Sequence, residues 1–202
     1  KVLSNKNLFD GKLTAGCNEA GRGCLAGPVF AGAVILPDDF EDPLLNDSKK
    51  ISEKKRIILR DRIKEKSLCW AIASVSPAEI DEINILNASI KAMHLAIGRL
   101  SCKPEALLID GNKFSPWNDL PFKCIKGGDG KFLNIAAASI LAKTYRDEYM
   151  LKIDKECPYY MWKKNKGYPT KEHRKAIDKY SISIYHRKSF RLTDTQQKLE
   201  FL

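Results

Sequence analysis

Acidic side chains stand where three segments of the chain are predicted to end or turn. Glu19 follows a short apolar run, Asp110 closes the apolar run 106–109, and Asp129 lies in a turn of three glycines. Open α/β sheets place their sites at the carboxyl ends of strands, so Asp110 is a stronger candidate than an acid on a surface helix. Carboxylate oxygens are the ligands that Mg²⁺ and Mn²⁺ prefer, with no need for Cys or His. The three acids therefore predict a site for divalent cations.

A glycine-rich loop, Gly21-Arg22-Gly23, separates the apolar runs 13–17 and 28–36. Because glycine has no Cβ, such a loop can take positive φ and bring bare backbone amides close to a ligand. Arginine adds a planar charged fork suited to phosphate. The simplest alternative is a hairpin with a flexible tip. A dinucleotide-binding loop fits poorly, since no third glycine follows at the required place and residues 27–29 open a strand where that motif needs a helix.

Length and composition are those of one main globular domain, with 202 residues, 22.8 kDa, 44% hydrophobic and 30% charged residues. No apolar run approaches the roughly 20 residues of a membrane span, and residues 1–10 lack a signal-peptide pattern. We therefore expect a cytoplasmic protein without membrane contact. The six cysteines form no Cys-x-x-Cys pair, so we interpret them as reduced thiols rather than zinc ligands.

The net charge of +10 is concentrated near the C-terminus, where residues 151–202 hold 13 Lys or Arg against 6 Asp or Glu. Aromatic residues are interleaved with these cations, namely Tyr159, Tyr160, Trp162, Tyr168, Tyr180 and Tyr185. Aromatic rings can stack on bases or sugars while the cations hold phosphate. A merely basic soluble surface is the alternative, but the shared pattern favours nucleic-acid binding.

Periodicity and turn residues predict the elements that must position these groups. Strands are predicted over 13–17, 28–36, 68–75, 106–109 and 122–126. Helices are predicted to begin at Ser52 and after Ser76, to continue over 87–100, and to include the Ala-rich run 135–143. The first of these helices should bury a stripe made of Ile57, Ile58, Leu59 and Ile63. Strands that are first consecutive and then interleaved with helices indicate a mixed sheet with helices on its faces.

Two long strings of residues resemble one family. Residues 16–29, Gly-Cys-Asn-Glu-Ala-Gly-Arg-Gly-Cys-Leu-Ala-Gly-Pro-Val, closely resemble the opening motif of the ribonuclease HII family, which reads Gly-x-Asp-Glu-x-Gly-Arg-Gly. A second, longer signature of that family is matched by 126–129 and 136–147, and shorter ones by 47–50, 166–170 and 186–190. One position departs from the family, because Asn18 stands where the family carries its first catalytic aspartate.

The resemblance implies a ribonuclease H-like α/β fold, with a mixed five-stranded sheet flanked by helices. It implies a catalytic domain over 1–157 and a small, helical, basic substrate-binding region with a tail over 158–202. Catalysis and the binding of two Mg²⁺ or Mn²⁺ ions are implied for Asn18, Glu19, Asp110 and Asp129. Substrate binding is implied for Gly21, Arg22, Gly23, Lys49, Tyr168 and Arg187. We interpret Asp147, beside Arg146, as part of a structural salt bridge.

The activity implied by the resemblance is hydrolysis of RNA in RNA–DNA hybrids and at single ribonucleotides in duplex DNA. A monomer would cut on the 5′ side of the ribonucleotide and leave 3′-hydroxyl and 5′-phosphate ends. An amide at position 18 removes one negative charge where two dications must gather, so we expect this chain to bind substrate but to be nearly inactive. We interpret Asn18 as an introduced substitution in preference to natural divergence.

Two other classes of function stay open. Asn18 is compatible with a catalytically silent binder of RNA–DNA hybrids, which would have no use for Glu19, Asp110 and Asp129 together. A nucleotide-dependent oxidoreductase ranks below both because of the loop geometry described above. The segment Gln196–Phe201 resembles short peptides that bind bacterial sliding clamps, and a frayed tail is its alternative.

Overall fold

The computed structural model describes residues 3–4, 8–9, 11–45 and 51–193. The strands are β1 Thr14–Ala20, β2 Val29–Ile35, β3 Cys69–Val75, β4 Ala106–Asp110 and β5 Phe122–Ile125. The helices are α1 Glu53–Lys66, α2 Pro77–Gly98, α3 Leu133–Glu156, α4 Trp162–Asn165 and α5 Lys171–Tyr180, with 3₁₀ turns at Gly128–Gly130 and Pro158–Tyr160. Each predicted strand and helix is present, and β1 continues past its predicted end through residues 18–20.

The five strands form one mixed sheet in the order β3-β2-β1-β4-β5. Strand β2 pairs antiparallel with both β1 and β3, whereas β4 runs parallel to β1 and β5 runs parallel to β4. The predicted mixed five-stranded sheet is confirmed. Its topology follows from the sequence, because the short connection between β1 and β2 suits an antiparallel hairpin, and the continuous apolar run of β4 suits a central parallel strand.

Helix α3 lies against β1 and β2 on one face of the sheet. The approach is close because each strand carries a glycine at the contact. A Cβ on Gly16 would stand 2.2 Å from the carbonyl carbon of Asn134, and a Cβ on Gly32 would stand 2.6 Å from the carbonyl oxygen of Ala138. The helix presents three consecutive buried alanines, 136–138. Small residues on both sides therefore set the separation of helix and sheet.

Helix α2 covers the opposite face, where it packs on β2 and β3. Its N-cap is Ser76, whose Oγ accepts a hydrogen bond from the Glu79 amide at 3.2 Å, as the sequence predicts. The helix is kinked at Asn84, which has φ 65° and ψ 165°. The Asn84 side-chain oxygen accepts from the amides of Leu86 and Asn87, so it caps the second half of the helix.

Helix α1 begins at the predicted cap, Ser52, but its apolar stripe is narrower than predicted. Leu59 and Ile63 are fully buried, whereas Ile57 and Ile58 are 41% and 50% exposed. The reason is that α1 packs mainly against α3, which covers only one edge of it. All six cysteines are free thiols, in agreement with their interpretation from spacing. Among the helices that the structure describes, none is long and apolar enough to cross a membrane.

The C-terminal region has an aromatic core of its own. Tyr160 and Trp162 are 1% and 0% exposed, so their predicted availability for stacking on nucleic acid is wrong. Trp162 Nε1 donates to His173 Nε2 at 3.0 Å, and His186 Nε2 lies 3.2 Å from the same atom. The Ser183 amide donates to His186 Nδ1 at 3.0 Å. Each imidazole thus accepts a hydrogen bond through one nitrogen, which requires both rings to be neutral.

Acid should weaken this region. Burial, with a smaller contribution from His173, lowers the pKa of His186 from 6.5 to about 4. The unfolded chain takes up this proton near pH 6.5 whereas the folded chain resists it down to about pH 4, so the free energy of unfolding falls as pH drops through that window. Urea unfolding at pH 7 and pH 4.5 measures the loss of free energy of unfolding between the two pH values. This loss should be smaller in His186→Gln than in the parent by about 1–2 kcal/mol. Equal losses in the two proteins would contradict the neutral network.

Candidate active site

Asn18 and Glu19 lie inside β1, where they pair with Gly32 and Ala31 of β2. Asn18 is 4% exposed, and its Oδ1 accepts a hydrogen bond from the Glu19 amide at 2.7 Å. A carbonyl oxygen has two lone pairs, so this bond leaves one free for another partner. Position 18 therefore offers a neutral oxygen, already oriented by the backbone, at the edge of the site.

The Glu19 carboxylate is held in an asymmetric way. Its Oε1 accepts from Arg22 Nη1 at 3.3 Å, whereas its Oε2 is buried without a hydrogen-bond partner in the described part of the chain. Burial raises the pKa of Glu19, Arg22 lowers it, and the charge of Asp110 raises it again. An unpartnered buried carboxylate oxygen beside a second carboxylate is destabilising by itself, and it is the arrangement that a bound cation would stabilise.

Asp110 ends β4, next to β1 in the sheet. The last β1–β4 pair is Cys17 with Ile109, so Asn18, Glu19 and Asp110 follow it side by side at the carboxyl ends of the two parallel strands. Asp110 Oδ1 accepts from the Gly128 amide at 2.7 Å, which fixes this carboxylate against the turn after β5. The structure thus brings Asn18, Glu19 and Asp110 together, as the sequence predicts.

Asp129 is placed differently from the prediction. It lies in the 3₁₀ turn Gly128–Gly130, whose first residue binds Asp110 through its backbone. Among the described residues, no three His, Cys, Asp or Glu side chains are grouped closely enough to hold a metal ion. The expected metal-holding cluster of Glu19, Asp110 and Asp129 is therefore not formed among these residues. A metal-binding role for Asp129 stays a prediction.

Helix α3 contributes three residues that the sequence analysis did not assign to the site. Ser139, Lys143 and Asp147 line the same cleft as Asn18, Glu19 and Asp110. Asp147 is buried and pairs with Lys143 Nζ at 3.4 Å. The predicted structural salt bridge of Asp147 is thus present, with Lys143 as its partner, while the neighbouring Arg146 guanidinium donates to backbone carbonyls. The spacing of four residues from 139 to 143 to 147 was the available signal, because it places all three on one helix face.

The loop after β1 combines a packed glycine with an open one. Gly21 has φ +95°, and a Cβ on it would stand 2.0 Å from Arg146 Nε. A Cβ on Gly23 would meet nothing within 4 Å, and both Gly23 and Arg22 are exposed at the cleft. Gly21 is therefore required by the protein's own packing, whereas Gly23 leaves space for a ligand.

The remaining predicted substrate residues fall into three situations. Tyr168 lines the cleft and is 44% exposed, which argues against a core tyrosine, and its hydroxyl contacts the Cys24 thiol. Arg187 is fully buried, with its guanidinium bonded to the carbonyls of Gly27 and Arg22. Direct substrate contact by Arg187 is therefore wrong as predicted, because its nitrogens face the loop rather than the cleft. Lys49 lies outside the described residues, as does the segment 196–201.

Comparison with known proteins agrees with this geometry. The family model described as ribonuclease HII matches residues 15–193. A ribonuclease HII of Bacteroides thetaiotaomicron is 57% identical, covering 98% of this chain and 97% of that protein. A ribonuclease HII of Parabacteroides distasonis is 59% identical, covering 95% and 96%. Among solved structures, the PCNA:RNase HII complex from Archaeoglobus fulgidus is similar with a TM-score of 0.76 at 25% identity, covering 93% of this chain and 98% of that one.

The two glycines of the loop should respond differently to the same substitution. Gly21→Ala forces a Cβ onto the Arg146 guanidinium at positive φ, so we expect the free energy of unfolding to fall by about 1–3 kcal/mol. Gly23→Ala adds a methyl group to open space and should stay within about 0.5 kcal/mol of the parent. Chemical denaturation of both variants measures the difference. Equal destabilisation would show that Arg146 does not pack beneath Gly21 in this way.

Proposed function

The chain belongs to the ribonuclease HII family and is a ribonuclease H enzyme, and from this premise we propose its substrates and cleavage chemistry. Its family membership points to the hydrolysis of RNA in RNA–DNA hybrids. We propose that it also cuts duplex DNA at single ribonucleotides, on the 5′ side, leaving 3′-hydroxyl and 5′-phosphate ends. The proposal rests on the meeting of Glu19 and Asp110 at the joined edge of β1 and β4, with one Glu19 oxygen unpartnered.

The donor set fits a divalent cation. Glu19 Oε2 is a buried anionic oxygen without a hydrogen bond, and Asp110 lies beside it. Together with the side-chain oxygen of Asn18, these hard donors would hold Mg²⁺ or Mn²⁺, with Asp129 as a further proposed ligand. When two such ions are bound, they supply a water that is nucleophilic at neutral pH and stabilise the leaving oxygen.

Other groups of the chain bind and orient the substrate in this proposal. The Gly23 amide lies at open space in the cleft, where a sugar can approach the backbone. The ribose 2′-hydroxyl both donates and accepts hydrogen bonds and is absent from DNA, so a backbone amide can recognise it. The exposed Tyr168 ring offers a face to the neighbouring sugar. Lys143, at the same cleft, adds a positive charge suited to phosphate.

Arg22 has two states in this proposal. Without substrate, its guanidinium neutralises Glu19 at 3.3 Å, and its side chain is 48% exposed. Only the arginine half of this pair is exposed, so Arg22 can turn to a phosphate when a cation takes over the charge of the buried Glu19 carboxylate. Its release would also free the second Glu19 oxygen for a cation.

Asn18 supports a second candidate, a catalytically silent binder of RNA–DNA hybrids. The amide keeps the oxygen and its bond to the Glu19 backbone but lacks the negative charge. With an amide in place of a carboxylate at position 18, the site has less negative charge with which to gather two dications. We propose that the chain with Asn18 binds its substrate and cuts it slowly.

We also propose that the protein is located in the cytoplasm and is monomeric.

Restoring the carboxylate should separate the two candidates. We expect Asn18→Asp to raise Mg²⁺-dependent incision of a duplex carrying one ribonucleotide by about 100-fold, equivalent to roughly 2.7 kcal/mol of barrier. Single-turnover cleavage on a denaturing gel measures the rate. The matched control, Asn18→Asp combined with Asp110→Asn, should lose the gain. If Asn18→Asp gives no gain, the proposed site is wrong, and unchanged hybrid affinity in Asp110→Asn would favour the silent binder.

The C-terminal segment 196–201 supports a proposed partner. It resembles clamp-binding peptides, and the Archaeoglobus fulgidus relative was solved as a complex with PCNA. We propose that this segment binds a bacterial sliding clamp. A pull-down with immobilised clamp should retain the full chain and lose a chain that ends at Thr193. Equal retention, or equal failure, of the two chains would remove the clamp from the proposal.

A further inference from the structure

Two buried arginines lie beneath the loop 21–28, and their recorded partners are backbone carbonyls. Arg187 is 0% exposed, and it donates through Nη1 to Arg22 O at 2.9 Å and through Nε and Nη2 to Gly27 O at 3.0 and 2.8 Å. Arg146 is 2% exposed and donates to the carbonyls of Pro28, Ala26 and Lys166 at 3.1, 3.0 and 2.8 Å. The loop is thus held from below by two rigid forks of donors.

Burying a guanidinium group beneath a loop has a high cost in desolvation free energy. Taking a charge out of water costs several kcal/mol unless its hydrogen bonds compensate, and carbonyl oxygens compensate less well than a carboxylate would. Burial accordingly lowers the pKa of Arg187 to about 10. Unlike an apolar residue, Arg187 fixes the orientation of two loop carbonyls, because its planar guanidinium donates to both of them.

The direction of one carbonyl sets the direction of one amide. In a planar trans peptide, the C=O of a residue and the N–H of the next residue point opposite ways. Arg187 draws the Arg22 carbonyl inward, so the Gly23 N–H is turned outward. No hydrogen bond from that amide to another described residue is found, and Gly23 is exposed at the cleft. The outward amide is therefore available to a ligand.

A tether on α2 holds Arg187 in place. Asp81 accepts from the amides of Lys188 and Ser189, both at 2.9 Å, and from Ser189 Oγ at 2.6 Å. On the other side, the Arg187 amide donates to Leu25 O at 2.9 Å. The segment that carries Arg187 is fixed both to the helix and to the loop that it supports.

We propose that Arg187 is a positioning residue for recognition of the ribonucleotide, because it aims the Gly23 amide at the sugar without touching the substrate. The inference rests on the proposed function. It makes discrimination between ribose and deoxyribose depend on a side chain hidden from the cleft. Lysine at this position would keep the charge but lose the fork, so a geometric role and a purely electrostatic one can be distinguished.

The test compares the affinities of the protein for two duplexes of the same sequence. Binding can be measured in Mg²⁺ because the chain is expected to cut slowly. One duplex carries a single ribonucleotide and the other is entirely DNA, and fluorescence anisotropy in Mg²⁺ gives both dissociation constants. Arg187→Lys should weaken binding of the ribonucleotide duplex about tenfold and leave the DNA duplex within about twofold. The matched control is Arg174→Lys, since Arg174 also donates to carbonyls, those of Arg191 and Leu192, away from the loop. It should leave both constants unchanged.

A second variant keeps the test decisive if Arg187→Lys fails to fold. Asp81→Asn weakens the tether while keeping Arg187, and it should reduce the ratio of the two affinities in the same direction by about threefold. If Arg187→Lys does not fold by circular dichroism, Asp81→Asn decides. The inference is overturned if the folded variant has the same ratio of the two affinities as the parent. It is also overturned if the variant loses affinity equally for both duplexes. If the parent itself, and Asn18→Asp, bind both duplexes equally, the proposed function fails instead.

Discussion

The parallel pairing of β1 with β4 is the constraint on which the site depends. It joins two strands that are distant in sequence and brings Asn18, Glu19 and Asp110 together just past its last pair. Side chains alternate along a strand, so a shift of one residue in this pairing would turn Asp110 to the opposite face of the sheet. Register is therefore as important to the chemistry as the identity of the acids.

The loop after β1 depends on contacts from far along the chain. Residues 146, 167 and 187 all reach the stretch 21–28, through side-chain donors or through the bond from the Leu25 amide to Gly167 O. The C-terminal region is thus more than an attached basic surface. It completes the shape of the loop at the centre of the site, and its aromatic core of Tyr160, Trp162 and two histidines keeps that support in place.

Sequence patterns predicted the strands, the helices, the mixed sheet and the meeting of Glu19 with Asp110, because these follow from local periodicity and from where apolar runs end. The pattern failed where tertiary contacts decide. Nothing local distinguishes the buried Trp162 from an exposed aromatic, or the buried Arg187 from a phosphate-binding one. For Asp147 the predicted salt bridge is present, with Lys143 one turn earlier, but its place in the cleft was not predicted. Asp129 was expected in the cluster from the family signature before the Ala-rich helix, and its turn contacts Asp110 through the Gly128 amide.

The contact of α3 with Gly16 and Gly32 also bears on how such a protein can vary. Two strands and one helix meet there with almost no side chain between them, so even a methyl group on either strand would press against helix backbone. Evolutionary drift in this layer is confined to exchanges among the smallest residues, while the face under α2 can trade aliphatic side chains of similar volume. A designer who wishes to change stability without moving the acids should therefore work on the α2 side.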